Sequence, residues 1–277
     1  MRKILPASKF GPSYPEYQEV AQVKKEILRA AGGEQKLRKE FGALLRRCID
    51  AVIDTPSTGR CDYEELEKTE KTYLGTKVEI QLRALLGFPK GLLDFVIAGH
   101  DVDVKFTIGN NWMIPVEAVD QICIVTAADE ERALCYLGLI KARPSYLTGG
   151  VNRDNKGSVS SEGFSNIDWL IKEEPYPANF WRTMPIEKRR AIFQKSSGNA
   201  RVIALFEEIL EQPIHRSVIE DVARQKDPMK RIRANGGAKD ALIKKGIKVL
   251  GGKYDAMTIR KLGLPQCDKD SFLSTKR

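Results

Sequence analysis

Two carboxylates and one lysine, Asp94, Asp103 and Lys105, stand close together in residues 92–106. Side chains alternate along a strand, so a hairpin here would place all three on one face, with opposed Cβ atoms roughly 4.5–5.5 Å apart. Acidic oxygens beside an ammonium group can hold Mg²⁺ and orient a water for attack on a phosphodiester. The group therefore predicts a metal-dependent phosphodiesterase.

The turn between the two apolar runs sets the predicted register. Glycine at the first position of the pair Gly99-His100 suits a type II′ turn. Ala98 would then pair with Asp101, and Asp94 would lie opposite Lys105. The same acid and lysine spacing also arises by chance in chains of ordinary composition, so the prediction depends on this hairpin and on a further acid upstream.

That further acid is Glu79, late in a helix predicted over 62–86 and ended by Gly87. The helix would begin with a capping box made by Asp62 and the residue three positions on. A carboxylate between two β-branched apolar residues suggests a third acid of the site. The alternative is a solvated ion pair of Glu79 with Arg83, one helical turn away.

From Lys71 to Glu79 and through the hairpin, the chain resembles the NaeI family of type II restriction endonucleases and, more distantly, the MutH mismatch-repair nickase. The resemblance covers roughly residues 60–265, and its specificity comes from the order of several stretches. Those stretches are Trp112–Pro115, Asn152–Asp154, Asn199–Val202, Met229–Arg231 and Gly246–Ile247.

The resemblance implies roles for the site residues. Asp94 and Asp103 become Mg²⁺ ligands, Lys105 the residue that positions the attacking water, and Glu79 an accessory acid that also reaches the metal. It further implies a second domain similar to the DNA-binding domain of the catabolite activator protein, which binds a second copy of the target and activates cleavage.

The charge of the 277-residue chain is uneven. The net charge is +9, and from residue 178 onward 22 Lys and Arg stand against 11 Asp and Glu. The C-terminal part is therefore expected to meet a polyanion such as nucleic acid. The acidic site lies in the other part, which would need basic loops and Mg²⁺ to approach phosphate.

Five cysteines, none in a Cys-x-x-Cys pair, predict free thiols and no zinc site. No apolar run is long enough to cross a bilayer, and the N-terminus lacks the apolar core of a secretory signal. We therefore expect a cytoplasmic protein with no membrane partner, no organic cofactor and Mg²⁺ as its only cofactor.

The predicted fold is α/β, a restriction-endonuclease-like mixed β-sheet flanked by helices. Apolar runs at 122–126 and 133–140 are typical of buried strands that extend the hairpin into a sheet. The other predicted helices cover 15–31, 34–53 and 115–121. A boundary at 173–177 would separate an endonuclease domain, 1–174, from a DNA-binding domain, 178–277.

A polar, glycine-rich loop at 148–158 is predicted to contact DNA. Arg153 could bind guanine and Asn152 adenine, while Lys156 and Ser158 suit phosphate. The alternative is a solvated loop in which Arg153 pairs with its acidic neighbour.

The C-terminal part is predicted to be a winged helix-turn-helix. Helices at 199–211 and 216–224, a third beginning at Asp227-Pro228, and a strand at 247–250 precede a glycine-rich tip. A solvated lysine-rich surface is the alternative. The candidate DNA contacts are Lys230, Arg231, Arg233, Lys239, Lys244 and Lys253.

Together with the resemblance, these features predict a homodimeric, Mg²⁺-dependent, sequence-specific double-stranded DNA endonuclease, and the resemblance implies that it binds up to two duplexes per subunit. A two-fold dimer would cut both strands of a palindrome and leave 5′-phosphate and 3′-hydroxyl ends. Two alternatives stay open: a MutH-like enzyme that nicks one strand, and a DNA-binding regulator that no longer cuts.

Overall fold

The computed structural model describes residues 8–148, 156–224, 227–232 and 236–277. The chain divides into two compact units. The first contains residues up to 53 together with 62–179, and the second contains 54–61 together with 180–277. The short segment 54–61 is grouped with the second unit.

Helices and a five-stranded sheet make up the first unit. Its helices are α1 (Tyr17–Ala31), α2 (Glu34–Ile53), α4 (Lys68–Leu86) and α5 (Ser161–Ser165), while α3 (Thr55–Thr58) belongs to the second unit. Its strands are β1 (Phe95–Ile97), β2 (His100–Thr107), β3 (Met113–Ile114), β4 (Ile122–Asp129), β5 (Leu134–Lys141), β6 (Gly157–Ser158) and β7 (Asp168–Pro175).

The sheet order is β1-β2-β4-β5-β7, with β2 and β4 parallel and the other pairs antiparallel. Strands β4 and β5 are buried along nearly their whole length because apolar side chains cover both faces of the sheet. Val102 and Val104 pack with the helices α1, α2 and α4 on one face. Cys123 and Val125 pack with Trp112 on the other. The predicted mixed α/β core is confirmed.

The hairpin forms, but its predicted turn and register are wrong. Its loop residues are Ala98 and Gly99, with φ of 51° and 81°, so the turn is of the I′ kind. Ile97 therefore pairs with His100 and Val96 with Asp101. Extending this register backwards aligns Asp94 with Asp103 instead of Lys105. The register is shifted by two residues, an even number, so every side chain keeps its predicted face.

The helix that carries Glu79 starts later than predicted. The capping box of Asp62 and Glu65 is present, but it closes a 3-10 turn at Tyr63–Glu65. A second capping box, formed by Glu67 and Glu70, opens α4 at Lys68. The helix predicted at 115–121 is likewise only a 3-10 turn, Val116–Ala118.

The second unit combines short helices with a small sheet. Its further elements are α6 (Ile186–Phe193), α7 (Gly198–Glu208), α8 (Arg216–Ala223), α9 (Ala238–Lys244), α10 (Ala256–Lys261), β8 (Ile214–His215), β9 (Lys248–Gly251) and β10 (Ser271–Thr275). The antiparallel sheet has the order β8-β10-β9. The helix predicted to start at Asp227-Pro228 is a 3-10 turn, Pro228–Arg231.

Two predictions on composition can be checked in this fold. All five cysteines are free thiols, as expected. Among the described helices, none is both long and apolar enough to cross a membrane.

Candidate active site

Lys105 and Asp103 form the centre of the site on β2. The Lys105 Nζ lies 2.7 Å from Asp103 Oδ2 and 2.8 Å from Oδ1, and it also donates to the Val104 carbonyl at 3.3 Å. The Asp103 side chain is only 6% exposed, whereas that of Lys105 is 25% exposed. The Asp103 carboxylate is therefore almost fully buried, whereas the Lys105 side chain stays partly open to solvent.

Asp94 is fixed against the same strand by a backbone contact. Its Oδ2 accepts a 2.7 Å hydrogen bond from the amide of Val104, between the two residues just described. The loop before Asp94 is held by Asp101, whose Oδ1 accepts from the amide of Leu92 at 2.9 Å. A Cβ on Gly91 would overlap that oxygen, so a larger residue there would displace the Asp101 side chain or the loop.

Glu79 reaches the site from helix α4. Its Oε1 lies 3.2 Å from Nη1 of Arg83, and the same nitrogen donates to the backbone carbonyl of Asp94 at 3.3 Å. The Asp94 carboxylate is near enough for its charge to raise the pKa of Glu79. The alternative of an ion pair with Arg83 is thus present together with the approach to Asp94. Arg83 links the helix to the loop, a role that its position in the sequence did not indicate.

The crowding of acids shows in their pKa values. Burial raises the pKa of Asp103 to about 6, although Lys105 acts in the opposite direction, and the nearby Asp94 adds to the rise. Burial also raises the pKa of Glu79, followed by the charge of Asp94, against the opposing effect of Arg83. Like charges are held close here without full compensation by cations. Such a group of carboxylates favours a bound cation.

The neighbouring strand β4 contacts the site residues of β2. Cys123 is paired with Asp103 in the parallel register, and its Sγ lies 4.0 Å from Asp103 Oδ2. The hydroxyl of Thr126 donates to the Lys105 carbonyl at 3.0 Å, and Trp112 Nε1 donates to the Thr126 carbonyl at 2.7 Å. No residue pattern had singled out Cys123 or Thr126, because strand pairing alone brings them here.

The oxygen atoms of this site suit a hard cation. Within the described ranges, no group of three or more His, Cys, Asp or Glu side chains forms a ready-made metal cluster. Mg²⁺ commonly binds through one or two carboxylates and retains waters and substrate phosphates as its other ligands. Asp94 and Asp103 fit that mode, with Glu79 next to them.

The predicted contact loop is described only in part. Asn152 and Arg153 lie outside the described residues. Lys156 is half-buried, and Ser158 lies in β6, paired with Met113 of β3, where its hydroxyl contacts the Met113 sulfur at 3.2 Å.

The basic residues predicted in the second unit are spread over several elements. Lys230 is exposed in the 3-10 turn, Lys244 is exposed at the end of α9, and Lys253 is exposed after β9. Lys239 is half-buried at the start of α9. Arg233 lies outside the described residues, and Arg231 is described only by its backbone.

Comparison with known proteins identifies the enzyme class. The profile of the family described as restriction endonuclease NaeI matches residues 32–277. The type II restriction enzyme NaeI of Lentzea aerocolonigenes is 38% identical over 243 residues, which is 84% of this chain and 76% of the relative. The protein is a type II site-specific deoxyribonuclease.

Within that class, the chain belongs to the restriction endonuclease NaeI family. The resemblance drawn from the sequence is thereby confirmed. The family match begins at residue 32, so it extends beyond the region of roughly residues 60–265 over which that resemblance was drawn.

Proposed function

We propose that the enzyme is a Mg²⁺-dependent endonuclease whose active site consists of Glu79, Asp94, Asp103 and Lys105. The observation that carries this proposal is the placement of two carboxylates on one face, with the Lys105 ammonium 2.7 Å from Asp103. Hard oxygen ligands and an uncompensated negative charge fit the ion. A bound Mg²⁺ would polarise the scissile phosphate and lower the pKa of a water.

The protein groups have separate tasks in this mechanism. Asp94 and Asp103 would hold the cation, and the Val104 amide keeps Asp94 in place for this. Lys105 orients the attacking water and stabilises negative charge as it develops on the phosphate. Glu79, positioned by Arg83, acts as the accessory acid. Hydrolysis would leave a 5′-phosphate and a 3′-hydroxyl.

Two such sites would cut both strands in one binding event. We propose a homodimer on double-stranded DNA, since two-fold symmetry of the protein matches that of a palindrome. The loop that carries Asn152, Arg153, Lys156 and Ser158 would contact bases and phosphates.

For the second unit we propose a winged-helix domain that binds a further DNA duplex and thereby activates cleavage. The support is the chain order α7, β8, α8, α9, β9 and β10 together with the sheet order β8-β10-β9. The excess of basic residues from 178 onward is consistent with a polyanionic partner. The basic residues proposed to contact DNA are Lys230, Arg231, Arg233, Lys239, Lys244 and Lys253.

A plasmid digest tests the proposal. Supercoiled DNA is incubated with the enzyme in Mg²⁺, in Mn²⁺ and in EDTA, and the linear product is then ligated without prior kinase treatment. We expect linear DNA only with a divalent cation, and ligation only if the ends carry 5′-phosphate. Nicked circles as the final product would instead identify a strand-nicking enzyme. Binding without any product in either cation would identify a regulator.

The activating role of the second unit needs its own measurement. A short duplex that contains the mapped cleavage site is added to a plasmid with a single site. Stimulation of cleavage is expected for the wild-type chain and should be weaker when Lys230, Lys239 and Lys244 are neutralised together. Equal rates with and without the added duplex would limit the second unit to holding the DNA being cut.

A further inference from the structure

The connection between β9 and β10 differs from a simple wing. It contains the helix α10, and it exposes two large apolar side chains, Tyr254 at 82% and Met257 at 86%. These are among the most exposed large apolar residues in the described part of the chain. Single exposed apolar residues are ordinary, but two of this size three positions apart indicate a contact surface. Residues 253–261 are called the β9–β10 tip below.

Hydrogen bonds and close packing hold the backbone at the start of the tip. The amide of Gly251 donates to Asp255 Oδ2 at 2.8 Å, and the amide of Asp255 donates back to the Gly251 carbonyl at 2.8 Å. A Cβ on Gly252 would overlap the Asp268 carbonyl, so the backbone is packed closely there. Exposure of the tip is therefore a property of an ordered turn.

A small apolar core holds α10 from behind. Leu250 and Leu273 of the sheet pack with Ile259 and Leu264. Ile259 is 4% exposed, whereas Met257, two residues earlier, points into solvent. The helix is therefore anchored on one side by Ile259, while the Met257 side chain is almost fully exposed.

The charges around the tip favour a polyanionic partner. Lys253, Arg260 and Lys261 are all exposed, and the only acid in the tip is Asp255, which closes the turn. The Lys253 ammonium also lies 5.2 Å from the centre of the Tyr254 ring. Apolar and aromatic side chains flanked by cations are the combination with which proteins unstack base steps while binding the adjacent phosphates.

We infer that the β9–β10 tip inserts Tyr254 and Met257 against the bases of duplex DNA, while Lys253, Arg260 and Lys261 bind the flanking phosphates. This rests on the proposed function, in which the second unit binds DNA, and it names a contact by which that unit distorts the duplex. Insertion separates neighbouring base pairs, so DNA bound in this way is locally unwound.

Unwinding can be measured without knowledge of the recognition sequence. Closed circular plasmid is relaxed by a metal-independent topoisomerase in EDTA with increasing amounts of the full-length enzyme. The linking number is read after the protein is removed. We expect bound wild-type enzyme to lower it. The double variant Tyr254→Ala, Met257→Ala should lose most of that change at equal occupancy, as verified by filter binding.

Two control variants sharpen the test. Ile186→Ala removes another exposed apolar side chain of the same unit, 47% exposed, and should behave as wild type. Tyr254→Phe keeps the aromatic ring and should retain the unwinding. A double alanine variant that binds DNA and unwinds it as the wild type does would overturn the inference, and so would wild-type binding without any change in linking number.

The charged residues provide a second readout. Replacing Lys253, Arg260 and Lys261 by Gln should make the dependence of log affinity on log salt shallower by about 0.9 for each phosphate that is no longer neutralised. If the Lys230, Lys239 and Lys244 variant becomes shallower while the tip variants change nothing, the tip inference fails and the proposed DNA-binding unit stands. If neither set has an effect, the proposed function of the unit fails as well.

If the β9–β10 tip bound a second copy of the chain instead of DNA, a different result would be expected. Sedimentation velocity of the DNA-free protein would then show a lower mass for the double alanine variant than for wild type, with unwinding unaffected. That outcome also overturns the inference.

Discussion

Lys105 Nζ lies 2.7 Å from Asp103 Oδ2, two residues back on the same strand, and no other described acid is paired with this lysine. Replacing either Lys105 or Asp103 by Ala should lower single-turnover cleavage by about a hundredfold or more. DNA binding should stay nearly intact, because other residues contact the DNA. Glu79→Ala should be damaging to a lesser degree.

Matched controls exist in the same unit. Lys172→Ala and Glu131→Gln change exposed residues that lie outside β2 and should cleave at the wild-type rate. Parallel loss of cleavage and binding in the Lys105 and Asp103 variants, with altered circular dichroism, would contradict a catalytic role.

The raised pKa of Asp103 predicts that the ionised carboxylate lowers the stability of the folded protein. Its folded-state pKa of about 6 exceeds the usual value, so ionisation costs stability above pH 6, and this cost disappears as the pH falls towards 4. Metal-free Asp103→Asn should therefore be more stable than wild type at pH 8, by at most about 3 kcal/mol. The difference should shrink between pH 6 and pH 4 in urea unfolding.

Asp129 is expected to show the opposite dependence of stability on pH. Burial would raise its pKa, but hydrogen bonds from the Arg132 backbone and side chain outweigh burial and lower the pKa. Asp129→Asn should thus lose stability at neutral pH, and less so in acid.

A metal-free Asp103→Asn protein that is no more stable than wild type at pH 8 would contradict the assigned pKa of Asp103.

Arg83 contacts both Glu79 and the Asp94 backbone through one nitrogen. Arg83→Ala should therefore slow cleavage, and adding it to Glu79→Ala should cost less than it does alone, because the two residues act through a shared contact. Single-turnover rates of the two single variants and the double variant give the coupling. Strictly additive effects would remove Arg83 from its positioning role.

A second buried charge cluster, with residues of α2, of the β4–β5 turn and of the chain after β7, predicts effects on stability alone. Arg46 Nη1 lies 3.0 Å from Glu130 Oε1, with both side chains at most 8% exposed, and the Tyr176 hydroxyl donates to Glu130. Glu130→Ala would leave the buried Arg46 with only its ion pair to Asp50, 2.7 Å away, and should cost about 3 kcal/mol, the lower end for a broken buried pair. Tyr176→Phe removes one hydrogen bond and should cost nearer to about 1 kcal/mol.

Urea unfolding measures both values, and the folded fraction of each variant should cleave normally. Arg46→Met keeps much of the volume but leaves both Glu130 and Asp50 without their cation, so it should cost more than Glu130→Ala. A reversed order would mean that the cluster is not held together by its charges.

Gly91 predicts a steric effect on the site. Alanine there would place its Cβ on Asp101 Oδ1 and 2.8 Å from Val96, so the loop before Asp94 must move. Cleavage by Gly91→Ala should fall, and more Mg²⁺ should be needed for the half-maximal rate. Gly75→Ala in α4 meets nothing within 4 Å and is the control, with stability raised by up to about 1 kcal/mol. Normal Mg²⁺ dependence in Gly91→Ala would contradict this account.

The sequence by itself determined the central strands and the faces of the hairpin. Period-two alternation placed Asp94, Asp103 and Lys105 on the same side of the hairpin, and continuous apolar runs indicated the buried strands β4 and β5. These are local properties, because side-chain direction follows the backbone period. The family was also recognisable from the order of short stretches, and the match to residues 32–277 bears this out.

Tertiary structure decided what local pattern leaves open. The hairpin register depended on which two residues adopted positive φ, and the predicted register was wrong by two residues. Contacts of Cys123 with Asp103 and of Arg83 with the Asp94 carbonyl join residues far apart in the chain or on different elements. The raised pKa of Asp103 likewise arises from burial in the assembled fold, which no sequence spacing specifies.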